Sequence, residues 1–285
     1  MSGGDLTLNR RAAGTVPWLR WLILALGMLA IIYPLGIFLL NSVKTNAQFV
    51  VAPLALPDPW HFGNYLEAWE KASMARLIGN SLLVSVATTV LTILLASMLA
   101  FGLHVFKFRG QGAILAMVVM TLTIPAQVYI IPLYLVVIGM KLTNTHLALI
   151  LPYTAGSLPL AVVLFRNYFA GLPNELIDAA RIDGATNFDI YARILMPLAR
   201  PVVGAVGIFT FVGAWNEFFL ALVFVQRKEL YTLPLGSQVF AISEYSLDFT
   251  LLFAAFSISL LPLVIVYLLM QRQFIAGMAG GAVKG

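Results

Sequence analysis

The chain has 285 residues, of which 61% are hydrophobic and only 10% charged, and its formal net charge is +5. An average soluble domain carries roughly 25% charged residues, so this chain cannot coat a globule in water, and its apolar excess equally excludes disorder. Having no cysteine, it also lacks a disulfide scaffold, a thiolate metal site and a cysteine nucleophile.

What remains is an all-α polytopic membrane protein. A helix needs about 20 mostly apolar residues to cross the hydrocarbon core, and six such stretches lie between the charges. The first is 21–43, closed by Lys44. It is longer than the 7–15 apolar residues of a signal-peptide core and no small-residue cleavage site follows, so it reads as a retained span. The second, 82–101, is bracketed by Arg76 and Lys107. The third runs between Arg109 and Lys141, with Pro125 and Pro132 inside it, and the fourth between Lys141 and Arg166, with Pro152 and Pro159. The fifth is 202–226 and holds one acid, Glu217; the sixth is 249–271, with Pro262. Such prolines are tolerated in a bundle because neighbouring helices satisfy the freed carbonyls. The organisation expected is an N-terminal tail over 1–17, a six-span domain over 18–275, and a glycine-rich C-terminal tail over 276–285.

Orientation follows from Lys and Arg. The two tails and the loops after spans two and four hold eleven of the seventeen basic residues, including Arg10, Arg11, Lys107, Arg109, Arg166, Arg181 and Arg193. The opposite side holds Lys44, Lys71, Arg76, Lys141, Arg227 and Lys228. Both termini are therefore expected in the cytoplasm. The basic excess is a topology signal and not a nucleic-acid surface.

The cytoplasmic segment 167–200 reads as helix, turn, helix. Pro173 suits a first helical position, and Glu175 and Asp178 favour the positive N-terminal end. Leu176, Ile177 and Ala180 form an apolar stripe. Gly184 is placed to end the helix in a left-handed conformation. Thr186 and Asp189 form a capping-box pattern opening a second helix, whose apolar face is Phe188, Tyr191, Ile194 and Leu195, with Pro197 as its stop. Two short amphipathic helices can lie on lipid headgroups, but four acids between Glu175 and Asp189 would be repelled by anionic lipid. Alanine pairs and a glycine turn suit close docking on another protein.

The run 178–185, Asp-Ala-Ala-Arg-Ile-Asp-Gly-Ala, followed by Tyr191 and Pro197, resembles the "EAA" cytoplasmic motif of ABC-importer permease subunits. Further pieces resemble the carbohydrate branch, the maltose- and glycerol-3-phosphate-type permeases: Asn80-Ser81, Trp215-Asn216-Glu217-Phe218, Thr232-Leu233-Pro234-Leu235-Gly236, and the end from Gln271 to Gly285. The resemblance implies a coupling helix fitting a cleft on a cytoplasmic ATPase subunit, with Glu175, Asp178, Ala179, Ala180, Asp183, Gly184, Ala185, Phe188 and Tyr191 at or near the contact. Asp178 departs from the usual glutamate by one methylene, and Tyr191 and Met196 are milder departures. The implied partners are a second permease subunit in a heterodimer, two ABC ATPase subunits that bind ATP and Mg, an extracytoplasmic substrate-binding protein touching the external loops 44–76 and 227–248, whose own aromatics and prolines would equally suit membrane-interface anchors, and membrane lipid. The implied location is the plasma membrane of a prokaryote, the inner membrane if Gram-negative. The chain itself is expected to bind no cofactor.

Glu217 is the lone formal charge inside an expected span, and a charge at the bilayer centre costs at least ~2.5–3.5 kcal/mol on insertion scales. It therefore faces protein or a water-filled path. With Asn216 and Trp215 it could bind a sugar, or it makes a structural bond to another span. The structural reading is the stronger, because adjacent helical residues point about 100° apart and cannot all face one path. Gln127 and Tyr129 are weaker pathway candidates, as are Thr143 and Asn144. His61, His104 and His146 are far apart in sequence and have no metal-ligand spacing. A phosphate-binding Gly-Lys loop and a Gly-x-Ser-x-Gly elbow are both absent, so ATP hydrolysis belongs to another subunit.

The function these features favour is translocation of a sugar or sugar-like solute by the membrane subunit of an ATP-driven importer. A proton-coupled secondary transporter working through Glu217 is the alternative. It calls for several intramembrane ionisable groups and often an internal repeat, neither of which is visible. An intramembrane enzyme would need a second catalytic group beside Glu217.

Overall fold

The computed structural model describes residues 17–242 and 248–282; of these, the side chains of 17, 126, 127, 239, 241, 242, 270 and 272–282 lie outside the description. The calls on Arg10, Arg11 and Lys284 therefore fall outside it, as does the side chain of Gln127. Every described regular element is helical. Four helices are long and apolar enough to cross a membrane: α1 (Pro17–Ser42), α4 (Met74–Val105), α7 (Leu147–Ala170) and α13 (Phe249–Ala282).

Short helices α2 (Asn46–Val51) and α3 (Gly63–Lys71) stand between α1 and α4. The expected third span is divided into α5 (Gln111–Thr121) and α6 (Ile130–Gly139), joined by a turn and the 3-10 helix Ala126–Tyr129. Pro125 adopts an extended ψ of 139° and breaks the helix there. Neither half alone is long enough for a crossing of about 20 residues. The fourth stretch starts later than its flanking lysine suggests. Lys141 and Asn144 both take left-handed φ, 57° and 58°, making a loop before α7.

The motif of 178–197 forms α8 (Glu175–Ile182) and α9 (Asn187–Leu198), and the latter meets α10 (Arg200–Asn216) at a bend of 77°. The fifth stretch is broken again after Asn216 and resumes as α11 (Phe219–Phe224). α12 (Leu233–Ile242) precedes α13, whose helix runs on to Ala282 through residues expected as the tail.

α4 is the central helix and packs on both α7 and α10. Its buried stripe is made of small side chains, Ser81, Ser85, Thr88, Thr92, Ala96 and Ala100, and α10 answers with Gly204, Ala205 and Gly207. Lipid tails are as apolar as leucine, so helices in a membrane associate through close packing, which small residues permit. At the motif end, Ala96, Ala100, Phe101 and Leu103 of α4 share one cluster with Phe165 and Phe169 of α7 and with Ile177, Ala180, Ile190 and Leu195 of α8 and α9. The two motif helices are thus built into the bundle. α1 differs: it packs chiefly on α13, and its apolar residues from Trp18 to Tyr33 are exposed.

Candidate functional site

α8 begins at Glu175, so Pro173 lies ahead of the helix and not at its first position; Asn174 is the capping residue. Glu175 and Asp178 occupy the first turn as expected, where the helix dipole favours acids. Ile177 and Ala180 face the bundle, while Leu176 is exposed. The helix ends at Ile182, and Gly184 takes φ +81°, a conformation that penalises any Cβ. The chain reverses there, with the Ala185 N–H donating to the Ala180 carbonyl at 2.9 Å.

The capping box forms as the spacing predicts. Thr186 Oγ1 accepts from the Asp189 N–H at 3.2 Å, and Asp189 Oδ2 accepts from the Thr186 N–H at 3.1 Å. Hydrogen bonds from the Thr186 hydroxyl and backbone hold the Asp189 carboxyl below the usual carboxylate range, and Arg193, 3.0 Å away, adds to this.

The apolar face of α9 differs from the one read at helical spacing. Phe188 is 73% exposed, and Ile190, absent from the predicted face, is fully buried together with Leu195. The reason is a π-helical stretch from Ile190 to Leu195, whose wider turns bring residues five apart onto one side. The same stretch carries the helix past Pro197. The Met196 N–H bonds to Tyr191, and the break falls at Ala199. Tyr191 is the strut of the assembly: its hydroxyl shares a 2.8 Å hydrogen bond with Ser97 of α4, and its ring meets Phe101 at 5.4 Å. Tyr168 of α7 adds a 2.7 Å bond to the Leu198 carbonyl.

On the outer side of this unit Leu176, Asp178, Ala179, Ile182, Asp183 and Phe188 are exposed. Ile182 reaches 87% exposure. Acids alternate with uncovered apolar groups on helices fixed from behind, an arrangement that can enter a cleft on another protein.

The second candidate region is the break in the fifth stretch. Glu217 has ψ 124°, outside the helix. Its Oε1 accepts from the Leu220 N–H at 2.9 Å and its Oε2 from the Ala221 N–H at 3.3 Å, so the carboxylate caps α11. Tyr153 of α7 donates its hydroxyl to Oε2 at 2.5 Å. Trp215 turns elsewhere, buried and stacked on Phe211 at 5.6 Å. Trp215 and Asn216 line a cavity of about 380 Å³ with Leu35, Phe38, Ser237 and Leu260. Glu217 and Tyr129 are not among its lining residues. The expected cluster is therefore divided: two members share a mostly apolar cavity, and the acid is bound to another helix.

Some working residues had no role read from the sequence, and Asn144, read as a weak pathway candidate, has a different one. Asn80 Nδ2 donates to the carbonyls of Glu229 and Tyr231, at 2.8 and 3.0 Å, and Ser81 Oγ accepts from the Leu233 N–H at 2.7 Å. Asn144 Oδ1 accepts from the Gln226 and Arg227 N–H groups at 2.7 and 3.1 Å, which makes Asn144 a loop anchor. Polar side chains at span ends were the available signal; their partners are some 80 to 150 residues away in sequence. Tyr153 gave no signal beyond being a tyrosine in a span. Among the described residues no three His, Asp or Glu side chains gather into a metal-holding group.

Residues 92–280 match the family described as binding-protein-dependent transport system inner membrane component. The chain is 36% identical to the probable ABC transporter permease protein YurM of Bacillus subtilis, covering 93% of this chain and 88% of that one. It is 35% identical to the arabinooligosaccharides transport system permease protein AraQ of the same organism, covering 90% and 93%. It is 33% identical to the diacetylchitobiose uptake system permease protein NgcG of Streptomyces coelicolor, covering 92% and 87%. In fold it is similar to a chain from the crystal structure of a bacterial ABC transporter that imports alginate, with a TM-score of 0.81 over 90% of this chain and 96% of that one, at 21% identity.

Proposed function

The chain belongs to the family of binding-protein-dependent transport system inner-membrane components, and from that membership we propose that it passes a sugar, of oligosaccharide type, through a bacterial membrane. It is the permease and not the catalytic component of an ABC importer. The sugar reading is supported by relatives named for arabinooligosaccharides and diacetylchitobiose.

The observation that carries the mechanism is the α8–Gly184–α9 unit. It is clamped to α4 through Tyr191 and Ser97 and exposes an acidic-apolar surface. In this reading an ATPase subunit receives that surface, and closure of the ATPase pair pushes through α9 on α4 and α10. The fifth and third crossings are each made of two half-helices, α10 with α11 and α5 with α6, which completes six crossings with both ends in the cytoplasm. A second permease chain completes the path. An external binding protein delivers the solute at the side that carries 226–248. Glu217 holds the α10–α11 break to α7, and solute contact falls to other residues.

Reconstitution of the purified complex in vesicles tests this. Uptake of a labelled oligosaccharide should require ATP and the binding protein. Uptake by this chain alone, driven by a proton gradient, would overturn it.

A further inference from the structure

The segment between α1 and α4 has its polarity reversed. Lys44 is only 1% exposed, and its ammonium donates to the carbonyls of Ala52 and Pro53, at 3.1 and 2.9 Å. Asn64, also buried, donates to the carbonyls of Ser42 and Lys44 at 2.9 and 2.7 Å. The Gln48 amide bonds to the Asp58 carbonyl, and the Ser42 hydroxyl pairs with that of Tyr65 at 2.7 Å. These polar side chains are spent on one another and on backbone carbonyls of the same segment. The large apolar side chains Val51, Leu54, Leu56, Trp60, Phe62 and Leu66 stand outside instead. Asp58 and Glu67 are the two formal charges from 45 to 69, and Glu67 is paired with Lys71. A loop in water buries its apolar groups and leaves lysine exposed.

We infer that the segment 45–69 lies in the interfacial layer of the lipid bilayer, as a collar around the end of α1. The medium around an inside-out segment is itself apolar. α1 is long and apolar enough to cross a membrane, so the segment that follows Ser42 starts where that span leaves the lipid. α2 adds only about 9 Å at 1.5 Å per residue, so Val50 and Val51 remain close to the level where α1 leaves the hydrocarbon. Trp60, stacked on Phe62 at 6.0 Å, and Trp69 belong to the residue types enriched at membrane–water boundaries. A soluble protein that docks and departs would leave these apolar side chains in water between cycles, which soluble surfaces avoid where such groups gather. Phe49 fixes the collar from within, meeting Phe249 and Phe253 of α13 at 5.5 and 5.3 Å.

The chain has no cysteine, so single nitroxide labels can be placed without background. Val51→Cys and Leu56→Cys are labelled in the full chain, assembled with its permease and ATPase partners but without the binding protein in phosphatidylcholine–phosphatidylglycerol vesicles; Lys228→Cys serves as a water-exposed reference. Collisional accessibility is read with oxygen, which concentrates in lipid, and with a nickel chelate, which stays in water. At 51 and 56 oxygen accessibility should exceed nickel accessibility, with nickel accessibility reduced relative to position 228. Nickel dominance at 51 and 56 would place the collar in water and overturn the inference. Loss of both signals would place it under another protein and overturn it equally.

Discussion

Two helix breaks carry the functional argument, and they are built in opposite ways. At Gly184 the chain turns on the exposed side of its unit, and every hydrogen bond that shapes the turn comes from within the motif: the left-handed glycine is followed by the Ala185–Ala180 bond and the Thr186–Asp189 box. At Glu217 the chain breaks inside the bundle, and the carboxylate that caps the new helix is also held by Tyr153, 64 residues away. In water a turn can be specified locally because solvent completes the remaining bonds. Within a span no water is available, so the break must be satisfied by a neighbouring helix. The first break can therefore serve as an articulation, while the second is a lock between α7 and α11.

The strongest way to test that contrast is to remove the lock. Glu217→Ala deletes a helix cap, worth about 0.5–2 kcal/mol, and orphans the buried Tyr153 hydroxyl, at a further ~1–3 kcal/mol. A loss of about 1.5–5 kcal/mol should appear as earlier thermal unfolding in detergent and poorer assembly, with solute affinity intact in what assembles. Glu217→Gln, which keeps an acceptor, should lose less. Altered solute affinity at unchanged stability would return Glu217 to the pathway and erase the contrast.

The articulation is tested at Gly184. A β-branched residue at φ +81° costs about 1–2 kcal/mol, and nothing lies within 4 Å of an added Cβ to clash with it. Gly184→Val should leave the chain inserted and folded while abolishing ATP-driven uptake, and Gly184→Asn, which tolerates the left-handed region, should restore a large part of it. Unchanged uptake and unchanged ATPase association in the valine variant would remove α8 from the coupling role.

This difference also explains what the sequence could and could not reveal. The Gly184 turn and the capping box were legible because glycine, threonine and aspartate carry their own conformational preferences within a few residues. The long apolar helices α1, α4, α7 and α13 were legible from hydropathy. The α10–α11 break was not, because Glu217 reads as an intramembrane charge and its partner Tyr153 is set by helix packing. The buried Ile190 was hidden for another reason: a 3.6-residue period assigns the inner face to Phe188, and only the π-helical stretch from Ile190 to Leu195 moves it. Asn144 illustrates a third case, a polar residue near a span that proves to hold the Gln226–Arg227 backbone.

A smaller effect is expected where the articulated unit joins the bundle. Tyr191→Phe removes the hydrogen bond to Ser97, yet Ser97 keeps its 3.1 Å bond to the Leu94 carbonyl. No group is orphaned, so the loss should be about 0.5–1.5 kcal/mol. If Tyr191 transmits motion, uptake per ATP hydrolysed should fall more than stability does. A double-mutant cycle with Ser97→Ala separates the two, since a direct bond predicts coupling between the single changes.

The smallest effect is the pH response of the capping box. Asp189 is held below its ordinary pKa by Thr186 and Arg193, so its folded form binds a proton less readily than its unfolded form. Its contribution is complete above the usual carboxylate range, near pH 4, and is lost as pH falls through the lower folded value. Hydrogen exchange at the Asp189 and Ile190 amides should therefore accelerate at acidic pH beyond its intrinsic pH dependence, and Asp189→Asn should remove that excess. The Leu220 and Ala221 amides supply the internal comparison, since they open the helix at the other break. If both sets of amides opened together as the pH fell, the two breaks would belong to one cooperative unit, and the division between a local articulation and a packed lock would fail.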